Sequence, residues 1–555
     1  MLGNILVDIG RITKEQLDYA LDLQKKRVHK LEKVLVDEGI ISETEIIEIL
    51  ESQFGISYVT LEKYYIDPRI VKLVPEALAR RYCIIPFQKK NGILGLAMSD
   101  PMDVFAIDEV KLVTQMDVQP AIASEEDIRS AIEVYYGKKS AERAVADFVK
   151  EHRSEGHIVP ENEFLERVSD APVVRLVNSI IEQAVANRAS DIHIEPGSKR
   201  LRVRFRIDGQ LQEIMNVPMQ THGPVVARVK IMSELNIAER RLPQDGRVEL
   251  EAGGRSLDLR VSVLPTAYGE KVAMRVLDRG SFLMSQKQLG LSEGNEVLFN
   301  RLIRVPHGII LVTGPTGSGK TTTLYAALRE LNDVTVNIMT LEDPIEYRLE
   351  GINQMQINPK AGFTFASGLR SVLRQDPNII MVGEIRDEET ANLAVRAAIT
   401  GHLVLSTLHT NDAASSGVRL VDMGVEPYLV ASSLRGIISQ RLVRKICPEC
   451  KVSYKAREEE LGILGLPSGS DIELFRGKGC SNCHNTGYRG RTAVHEIMVV
   501  TDKHRELIGR KASSDKLDKI SRQAGMSSLS DSCIGLVKKG VTTVAEMAKV
   551  IYLRE

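Results

Sequence analysis

Apolar residues in the C-terminal half of the chain form short unbroken runs, and each run is followed by a polar cluster. Such runs predict strands of a parallel sheet that is covered on both faces. A helical pattern, TTTLYAALREL, follows the first run. We therefore expect an α/β domain at 279–555, with its ligand outside the carboxyl ends of the strands. The four runs are GIILVTG, VTVNIMT, NIIMVG and LVLST.

The preceding half divides into regions of different pattern. Strand and helix patterns alternate over 54–137, as in CIIPFQ and GILGLAM, which predicts a second N-terminal α/β domain. Residues 138–169 are polar, charged and poor in core residues, which is typical of a linker. Over 170–278 the segment RLRVRFRIDGQLQEI predicts a strand, an Asp-Gly turn and a second strand.

The first 53 residues contain a tandem repeat. A shift of 29 residues superposes Leu6 on Leu35 and Gly10 on Gly39. Each unit predicts a short helix, a glycine stop and a second helix. This region is therefore expected to be helical, either as a bundle that packs on itself or as a docking domain.

Composition and charge narrow the function classes. Charged residues make up 26% of the 555-residue chain and the net charge is −1, so no basic surface predicts nucleic-acid binding. No apolar run approaches the ~18 residues of a membrane span. The N-terminus lacks the basic segment of a signal peptide. We expect a cytoplasmic protein without a transmembrane segment, whose membrane role would act through partners.

One motif directly predicts nucleotide binding. The sequence GPTGSGKT matches GxxxxGK[ST] and lies between a predicted strand and a predicted helix, the context that a P-loop requires. Its backbone N–H groups and the helix N-terminus favour phosphate. Lys320 is expected to reach the β- and γ-phosphates and Thr321 to bind Mg²⁺. The expected ATP-binding residues of the loop are Gly314, Pro315, Thr316, Gly317, Ser318, Gly319, Lys320, Thr321 and Thr322.

The other strand ends carry the expected catalytic residues. Because parallel strands end at one edge of a sheet, Glu342, Glu384 and His409 are expected to converge on the P-loop. Glu384 would bind Mg²⁺ with Thr321, Glu342 would orient the attacking water, and His409 would contact the γ-phosphate. Glu346 is a second candidate for the water-orienting role. His402 begins its strand, so topology does not bring it to the site.

Four of the six cysteines form two CxxC pairs. Cys447, Cys450, Cys480 and Cys483 predict a structural Zn²⁺ site within a subdomain at 445–490. Reduced thiols without metal, or a redox pair, are the alternatives, and His484 could compete as a ligand. The two solitary cysteines, Cys83 and Cys533, are expected to be small buried apolar residues.

Three longer segments resemble a known family. LEDPIE, LRQDPNIIMVGEIRDEETA and TGHLVLSTLHTNDA are similar to the Asp box, Walker B and His box of the secretion-superfamily ATPases, which drive type II secretion and type IV pilus assembly. The resemblance covers residues 54–555. It implies a RecA-like ATPase domain preceded by a PAS-like α+β domain, ATP and Mg²⁺ as ligands, and a homo-hexameric ring. It also implies attachment to the inner membrane through a polytopic platform protein and cytoplasmic accessory proteins.

The resemblance also implies arginines that reach the nucleotide. In the family they come from the domain that matches 170–278, through segments such as RFRIDGQL and RLPQDGR. Each arginine could instead be a charge on a strand face. The matching candidates are Arg204, Arg206, Arg241, Arg247, Arg260 and Arg275.

The tandem repeat resembles an N-terminal motif of some pilus-type ATPases that binds cyclic di-GMP. The departures are Met1 and Lys30 in place of arginine and Glu32 in place of glycine. A planar guanidinium can pair with phosphate in two places, and neither Met nor Lys replaces it. Cyclic di-GMP binding and docking to a membrane partner both remain open. The candidate ligand contacts are Leu2, Gly3, Leu6, Gly10, Gln24, Lys30, Leu31, Leu35, Gly39 and Gln53.

Three function classes follow from these features. The leading expectation is an ATP-driven motor for type IV pili or type II secretion pseudopili. A ring-shaped nucleic-acid translocase is the first alternative, and the near-zero net charge counts against it. A nucleotide-gated scaffold without hydrolysis is the second, and the intact Lys320, Glu342 and Glu384 count against it.

Overall fold

The structure is a computed structural model of the chain. It divides into two compact units between Val276 and Leu277, except that Asp208–Gln210 belongs to the second unit. The residues that it describes are 11–17, 19–20, 56–59, 61, 66–90, 92–101, 103–125, 127–129, 131–132, 135–136, 171–252, 255–278 and 284–552.

The first unit begins with a small three-stranded sheet. Strand β1 pairs with β2 in antiparallel fashion, and β2 pairs with β3 in parallel. The predicted strands CIIPFQ and GILGLAM are β1 and β2, so this part of the α/β prediction is confirmed. The elements are α1 Pro68–Val71, α2 Glu76–Tyr82, β1 Ile84–Lys90, β2 Ile93–Met98, α3 Val104–Thr114 and β3 Asp117–Ile122.

The tandem repeat lies almost entirely outside the described residues. Only 11–17 and 19–20 are described, and 14–17 are helical. The predicted linker at 138–169 lies outside them as well. The same holds for every candidate contact of cyclic di-GMP, namely Leu2, Gly3, Leu6, Gly10, Gln24, Lys30, Leu31, Leu35, Gly39 and Gln53.

A six-stranded sheet forms the rest of the first unit, in the order β6-β5-β4-β9-β8-β7. The predicted hairpin is β5 and β6, joined at Asp208 and Gly209. Both turn residues have positive φ, 49° and 84°, as a tight two-residue hairpin requires. The elements are α4 Ala171–Ala186, β4 Asp191–Pro196, β5 Arg200–Ile207, β6 Gln210–Pro218, α5 His222–Met232, β7 Gln244–Ala252, β8 Arg255–Thr266 and β9 Gly269–Asp278.

Strand β5 has one buried face and one polar face. Leu201, Val203 and Phe205 are fully buried, and the arginines between them point the other way. This alternation is the period of two that a half-buried strand produces. The candidate arginines of β5 therefore lie on the face away from the core.

The second unit contains a seven-stranded sheet in the order β12-β11-β13-β14-β10-β15-β18. Its strand pairs are parallel except β15 with β18, which are antiparallel. A separate hairpin joins β16 and β17. The strands are β10 Gly308–Thr313, β11 Ile338–Glu342, β12 Asn353–Gln356, β13 Ile379–Val382, β14 Leu403–Leu408, β15 Leu434–Ile446, β16 Lys451–Lys455, β17 Glu473–Gly477 and β18 Tyr488–Val499.

Helices cover both faces of this sheet. On β10, Ile309 and Leu311 belong to one apolar core cluster, whereas Ile310 and Val312 belong to another. Every residue of β10, β11, β13 and β14 is buried, as the apolar runs predict. The prediction from VTVNIMT is wrong at its start, because β11 begins only at Ile338 and Val334 lies exposed in a turn. The helices are α6 Glu293–Ile303, α7 Lys320–Leu331, α8 Phe365–Val372, α9 Glu388–Ile399, α10 Ala413–Asp422, α11 Pro427–Ser433, α12 Glu458–Ile463, α13 Asp502–Gly509, α14 Ser514–Gln523, α15 Leu529–Lys538 and α16 Val544–Tyr552.

This α/β architecture, with an α+β domain before the P-loop domain, agrees with the predicted fold class. Among the described residues, no helix is both long enough and apolar enough to cross a membrane.

Candidate functional site

Four strand ends of the second unit lie level at one edge of the sheet. Thr313 pairs with Leu408, and Val382 pairs with both Leu341 and Ser406. The residues that follow are the P-loop, Glu342, Glu384 and His409. The sheet therefore brings together the residues that the sequence motifs predict.

The P-loop connects β10 to the N-terminus of α7. Gly314 has φ 147°, and a Cβ there would lie 2.6 Å from the carbonyl oxygen of Gln440, so no other residue fits without a shift. The tip of the loop, Pro315–Gly317, is exposed. Thr321 and Thr322 are exposed on the first turn of α7. Free backbone N–H groups at such a helix N-terminus form an anion site.

Lys320 folds back over its own loop. Its Nζ donates hydrogen bonds to the carbonyl oxygens of Gly314, at 2.9 Å, and Pro315, at 3.1 Å. Burial lowers the pKa of Lys320, an effect that Glu384 opposes and Arg441 reinforces. The ammonium is thus held beside the phosphate-binding loop, where an anion would stabilise its charge.

Glu384 lies between the side chains of Arg386 and His409. Its carboxylate is 2.5 Å from the Arg386 guanidinium and 3.7 Å from Nε2 of His409. The hydroxyl of Thr407 donates to the carbonyl oxygen of Gly383 at 2.7 Å, which holds the turn before Glu384 against β14. Burial and the Lys320 charge lower the pKa of His409. Neutral imidazole and a paired carboxylate therefore face the same edge.

Glu342 is buried, with 3% exposure, and its carboxylate accepts three side-chain hydrogen bonds. The donors are the Tyr325 hydroxyl at 2.5 Å, the Thr340 hydroxyl at 2.6 Å and Nε2 of Gln354 at 3.0 Å. The alternative candidate, Glu346, is half-buried and donates its backbone N–H to the Tyr325 oxygen at 3.4 Å. The Glu342 carboxylate thus links α7, β11 and β12.

His402 lies at the opposite end of β14, as the topology predicts. Its backbone carbonyl accepts from the N–H of Gly308, which starts β10, and its Nδ1 is 2.9 Å from the Ala397 carbonyl oxygen. His402 is therefore remote from the level strand ends.

Two further residues at the site come from β15, which motif analysis did not single out. Gln440 and Arg441 are buried, with 1% and 5% exposure. Gln440 contacts Ser318 and Thr323, and Arg441 contacts Asn411. A polar Gln-Arg pair inside the apolar stretch IISQRLV was the signal that could have found them.

The four predicted metal ligands form one cluster. All four sulfur atoms lie within 4.8 Å of one another, and no other residue among those described joins the group, His484 included. The sulfur atoms of Cys447 and Cys480, and those of Cys450 and Cys483, are 3.8 Å apart. Four thiolates at ~2.3 Å from one Zn²⁺ form a tetrahedron with edges of ~3.8 Å. The cluster thus has the dimensions of a closed tetrahedral zinc site.

The backbone around this cluster also suits thiolates. The N–H groups of Cys480 and Gly487 donate to Sγ of Cys483, each at 3.2 Å. Although burial opposes it, these bonds lower the pKa of Cys483, whereas burial raises that of Cys447 to about 12. A cation at the centre would supply the charge that four such sulfurs need.

Of the two solitary cysteines, Cys533 is fully buried, as predicted. The prediction for Cys83 is wrong in part, since Cys83 is half-buried. Cys83 ends α2 with φ 50°, and this end of the helix is not covered as the apolar surroundings in the sequence suggested.

The candidate arginines of the first unit form ion pairs within it. Arg204 donates to Glu195 at 2.8 Å, and Arg206 and Arg275 both lie 3.3 Å from Asp191. Although burial opposes it, bonds from Arg204 and Lys271 lower the pKa of Glu195 to about 2.

The remaining arginine candidates lie before strand β7, on β7 and on β8. Arg247 bonds Asp258 at 2.5 Å and stands opposite Arg260 in the register of β7 and β8. Arg241 is 88% exposed and pairs with Glu239. Five of these side chains thus form ion pairs, and Arg241 is the most exposed of the five, which are Arg204, Arg206, Arg241, Arg247 and Arg275.

Comparison with known proteins places the chain in a family. The family model for type II/IV secretion system proteins matches residues 166–549, and the model for the MshEN domain matches 54–142. The chain is 43% identical to the type IV pilus assembly ATPase PilB of Myxococcus xanthus, over 98% of each chain. It is 52% identical to the type II secretion system protein E of Pseudomonas aeruginosa, over 71% of this chain and 78% of that one.

Among solved structures, the ATPase DotB of Legionella pneumophila is similar in fold. It has a TM-score of 0.51 and 22% identity, and the alignment covers 68% of this chain and 95% of that one. The matched family model and the relatives agree with the P-loop at the sheet edge. The chain therefore belongs to the type II/IV secretion system protein family and is a P-loop ATPase.

Proposed function

We propose that the chain is the hexameric ATP-hydrolysing motor that powers assembly of type IV pili or type II secretion pseudopili. The observation that carries the proposal is the intact nucleotide site in a chain that matches a pilus assembly ATPase over 98% of both lengths. A type II secretion protein E of Xanthomonas campestris matches at nearly the same identity, 42%. Both machines therefore stay within the proposal.

In this mechanism the P-loop and Lys320 bind the phosphates of ATP. Thr321 and Glu384 would hold Mg²⁺, which would supply positive charge beside the phosphates. Glu342 orients the attacking water, and His409 contacts the γ-phosphate. The proximity of His409 to Glu384, 3.7 Å, supports a shared role at the transferred group. Arginines of the domain at 170–278 complete the charge stabilisation.

The proposed localisation of the protein is the cytoplasmic side of the inner membrane. The chain would act as a ring of six copies, attached through a polytopic platform protein and cytoplasmic accessory proteins. The near-zero net charge supports a protein partner over nucleic acid. Light scattering of the purified protein with ATP and Mg²⁺ tests the ring, and a mass other than six chains would contradict it.

A genetic experiment separates the two machines. The gene is deleted, and surface pili and secreted proteins are both measured. The wild-type gene should restore the lost process, whereas the Lys320→Ala variant should not, because ATP binding is lost. Loss of pili alone assigns the motor to pilus assembly, and loss of secretion alone assigns it to secretion. Full activity of both processes in the deletion strain would contradict the proposal.

We further propose cyclic di-GMP as a regulatory ligand of residues 1–53. Two similar units suit a pseudo-symmetric dinucleotide, and glycine turns allow close approach of the backbone. Calorimetric titration of the full-length protein, with the ATP site saturated, measures binding. A matched Gly10→Val and Gly39→Val variant should lose the heat. Absence of heat from the wild-type protein would leave the repeat as a docking module.

A further inference from the structure

Gln440 bridges two parts of the phosphate-binding loop. Its Nε2 donates to the carbonyl oxygen of Ser318 at 2.6 Å, and its Oε1 accepts from the Thr323 hydroxyl at 2.7 Å. Ser318 lies in the loop and Thr323 in the first turns of α7. A single buried amide thus fixes the loop relative to the helix that carries Lys320.

The next residue, Arg441, holds a different loop. Its Nη2 donates to the carbonyl oxygen of Asn411 at 2.8 Å, and its Nη1 donates to the carbonyl oxygen of Gln440 at 3.2 Å. Asn411 belongs to the segment after β14 that carries His409. A buried guanidinium therefore ties the His409 segment to β15.

Two carboxylates near that segment stabilise the positive charge of Arg441. Burial lowers the pKa of Arg441, and Asp412 and Glu496 oppose the shift. Asp412 also caps α10, where its carboxylate accepts from the backbone N–H of Ser415 at 2.7 Å. Glu496 accepts from the backbone N–H of Ala413 at 2.9 Å. The segment that Arg441 holds is thus also fixed at its C-terminal end, where α10 begins.

We propose that Gln440 and Arg441 are positioning residues with separate tasks. Gln440 orders the P-loop for nucleotide binding, and Arg441 orders the His409 segment for turnover. The inference rests on the nucleotide site and on the role proposed above for His409.

The test compares full-length variants in two measurements, the affinity for a fluorescent ATP analogue and steady-state ATPase kinetics. Removal of a charged hydrogen bond is worth about tenfold or more in rate when the bond positions a reacting group. We therefore expect Arg441→Met to lower kcat about tenfold with nucleotide affinity within about threefold. Arg441→Lys, which keeps the charge and a single donor nitrogen, should recover part of the lost kcat.

Gln440→Leu should give the opposite pattern. The loss of its two hydrogen bonds should weaken nucleotide affinity about tenfold and change kcat by less than about threefold. The matched control is Arg435→Lys, at the far end of the same strand. Arg435 also bonds backbone carbonyls, those of His307 and Ser432, but lies away from the P-loop. This control should match the wild-type protein in both measurements.

The proposal is overturned if Arg441→Lys and Arg441→Met behave like the Arg435→Lys control. It is also overturned if the Gln440 and Arg441 variants change affinity and kcat in equal proportion. Thermal unfolding shows whether each variant is folded. If Arg441→Met does not fold, Arg441→Lys decides the test. A lowered kcat of Arg441→Lys at unchanged nucleotide affinity supports the proposal, and an unchanged kcat overturns it. Lys320→Ala tests the site itself, since nucleotide binding by that variant would contradict the P-loop assignment instead.

Discussion

The hydroxyl of Tyr325 donates a hydrogen bond of 2.5 Å to Oε2 of Glu342. The bond joins the helix that begins with Lys320 to the carboxylate at the end of β11. Burial, with the hydrogen bond to Glu342, raises the pKa of Tyr325, so the hydroxyl stays a donor. If α7 moves relative to the sheet, this hydrogen bond must therefore break, or the Glu342 side chain must move with the helix.

We predict that Glu342→Gln binds ATP but does not hydrolyse it, because water orientation is lost while the phosphate contacts remain. The new amide N–H₂ group would also point at a hydrogen-bond donor, because Tyr325, Thr340 and Gln354 all donate to Glu342. This mismatch should lower the free energy of unfolding by about 1–3 kcal/mol. Tyr325→Phe is the control, since it removes one bond and keeps the carboxylate. ATPase assays and thermal unfolding measure both, and near wild-type turnover by Glu342→Gln would refute the role.

The second prediction concerns zinc. Elemental analysis should find one Zn²⁺ per chain, and Cys450→Ser should remove it, whereas Cys83→Ser should not. Hydrogen exchange should then increase in β16 and β17 more than in β10, since structural zinc contributes folding energy locally. Purified protein without zinc, and with four titratable thiols in the folded state, would contradict the site.

The arginines of the first unit permit a third prediction. Arg204→Ala removes a donor from the buried Glu195 and should lower the free energy of unfolding by about 1–2 kcal/mol. Arg241→Ala should leave the unfolding temperature unchanged, because Arg241 is exposed. If Arg241 reaches the nucleotide in the proposed hexamer, its loss should lower kcat strongly, since arginine fingers contribute factors on the order of 10³–10⁵ to the rate. Unchanged kcat would remove Arg241 from the candidates.

A pH prediction follows from His495. Burial lowers its pKa to about 4, against 6.5 for the ordinary side chain, so the unfolded chain binds the proton more readily. The free energy of unfolding is therefore highest above pH 6.5. It decreases by about 3 kcal/mol as the pH falls toward 4.

His495→Asn removes this titration and should flatten the dependence of urea unfolding on pH between 7 and 4.5. The readout is the difference in slope between variant and wild type, so a constant destabilisation by the variant does not affect it. Parallel slopes would exclude His495 as a source of acid sensitivity.

The convergence of Lys320, Glu384 and His409 could be predicted from the sequence for a topological reason. Each follows an apolar run that is long enough for one buried strand, and parallel strands end at one edge. The four-cysteine cluster could be predicted because both pairs have ligand spacing. Neither prediction required knowledge of contacts between distant residues beyond strand pairing in the sheet and shared binding of one metal ion.

The contacts of Gln440 and Glu342 could not be predicted in the same way. Gln440 meets Ser318 across more than a hundred residues of sequence, because β15 is inserted beside β10. Glu342 carries the expected motif, yet its three donors come from α7, β11 and β12, and no local pattern reports them. The fit of side chains from distant elements decided both cases.

The spacing of the two CxxC pairs has a consequence for protein engineering. Cys447 follows β15 and Cys480 precedes β18, so a metal there would close the 29-residue insertion at its base. The entropy of such a closed loop rises only slowly with its length. The exposed turn at 467–469, between α12 and β17, is therefore a suitable place to graft an affinity tag or a fluorescent domain onto the active protein.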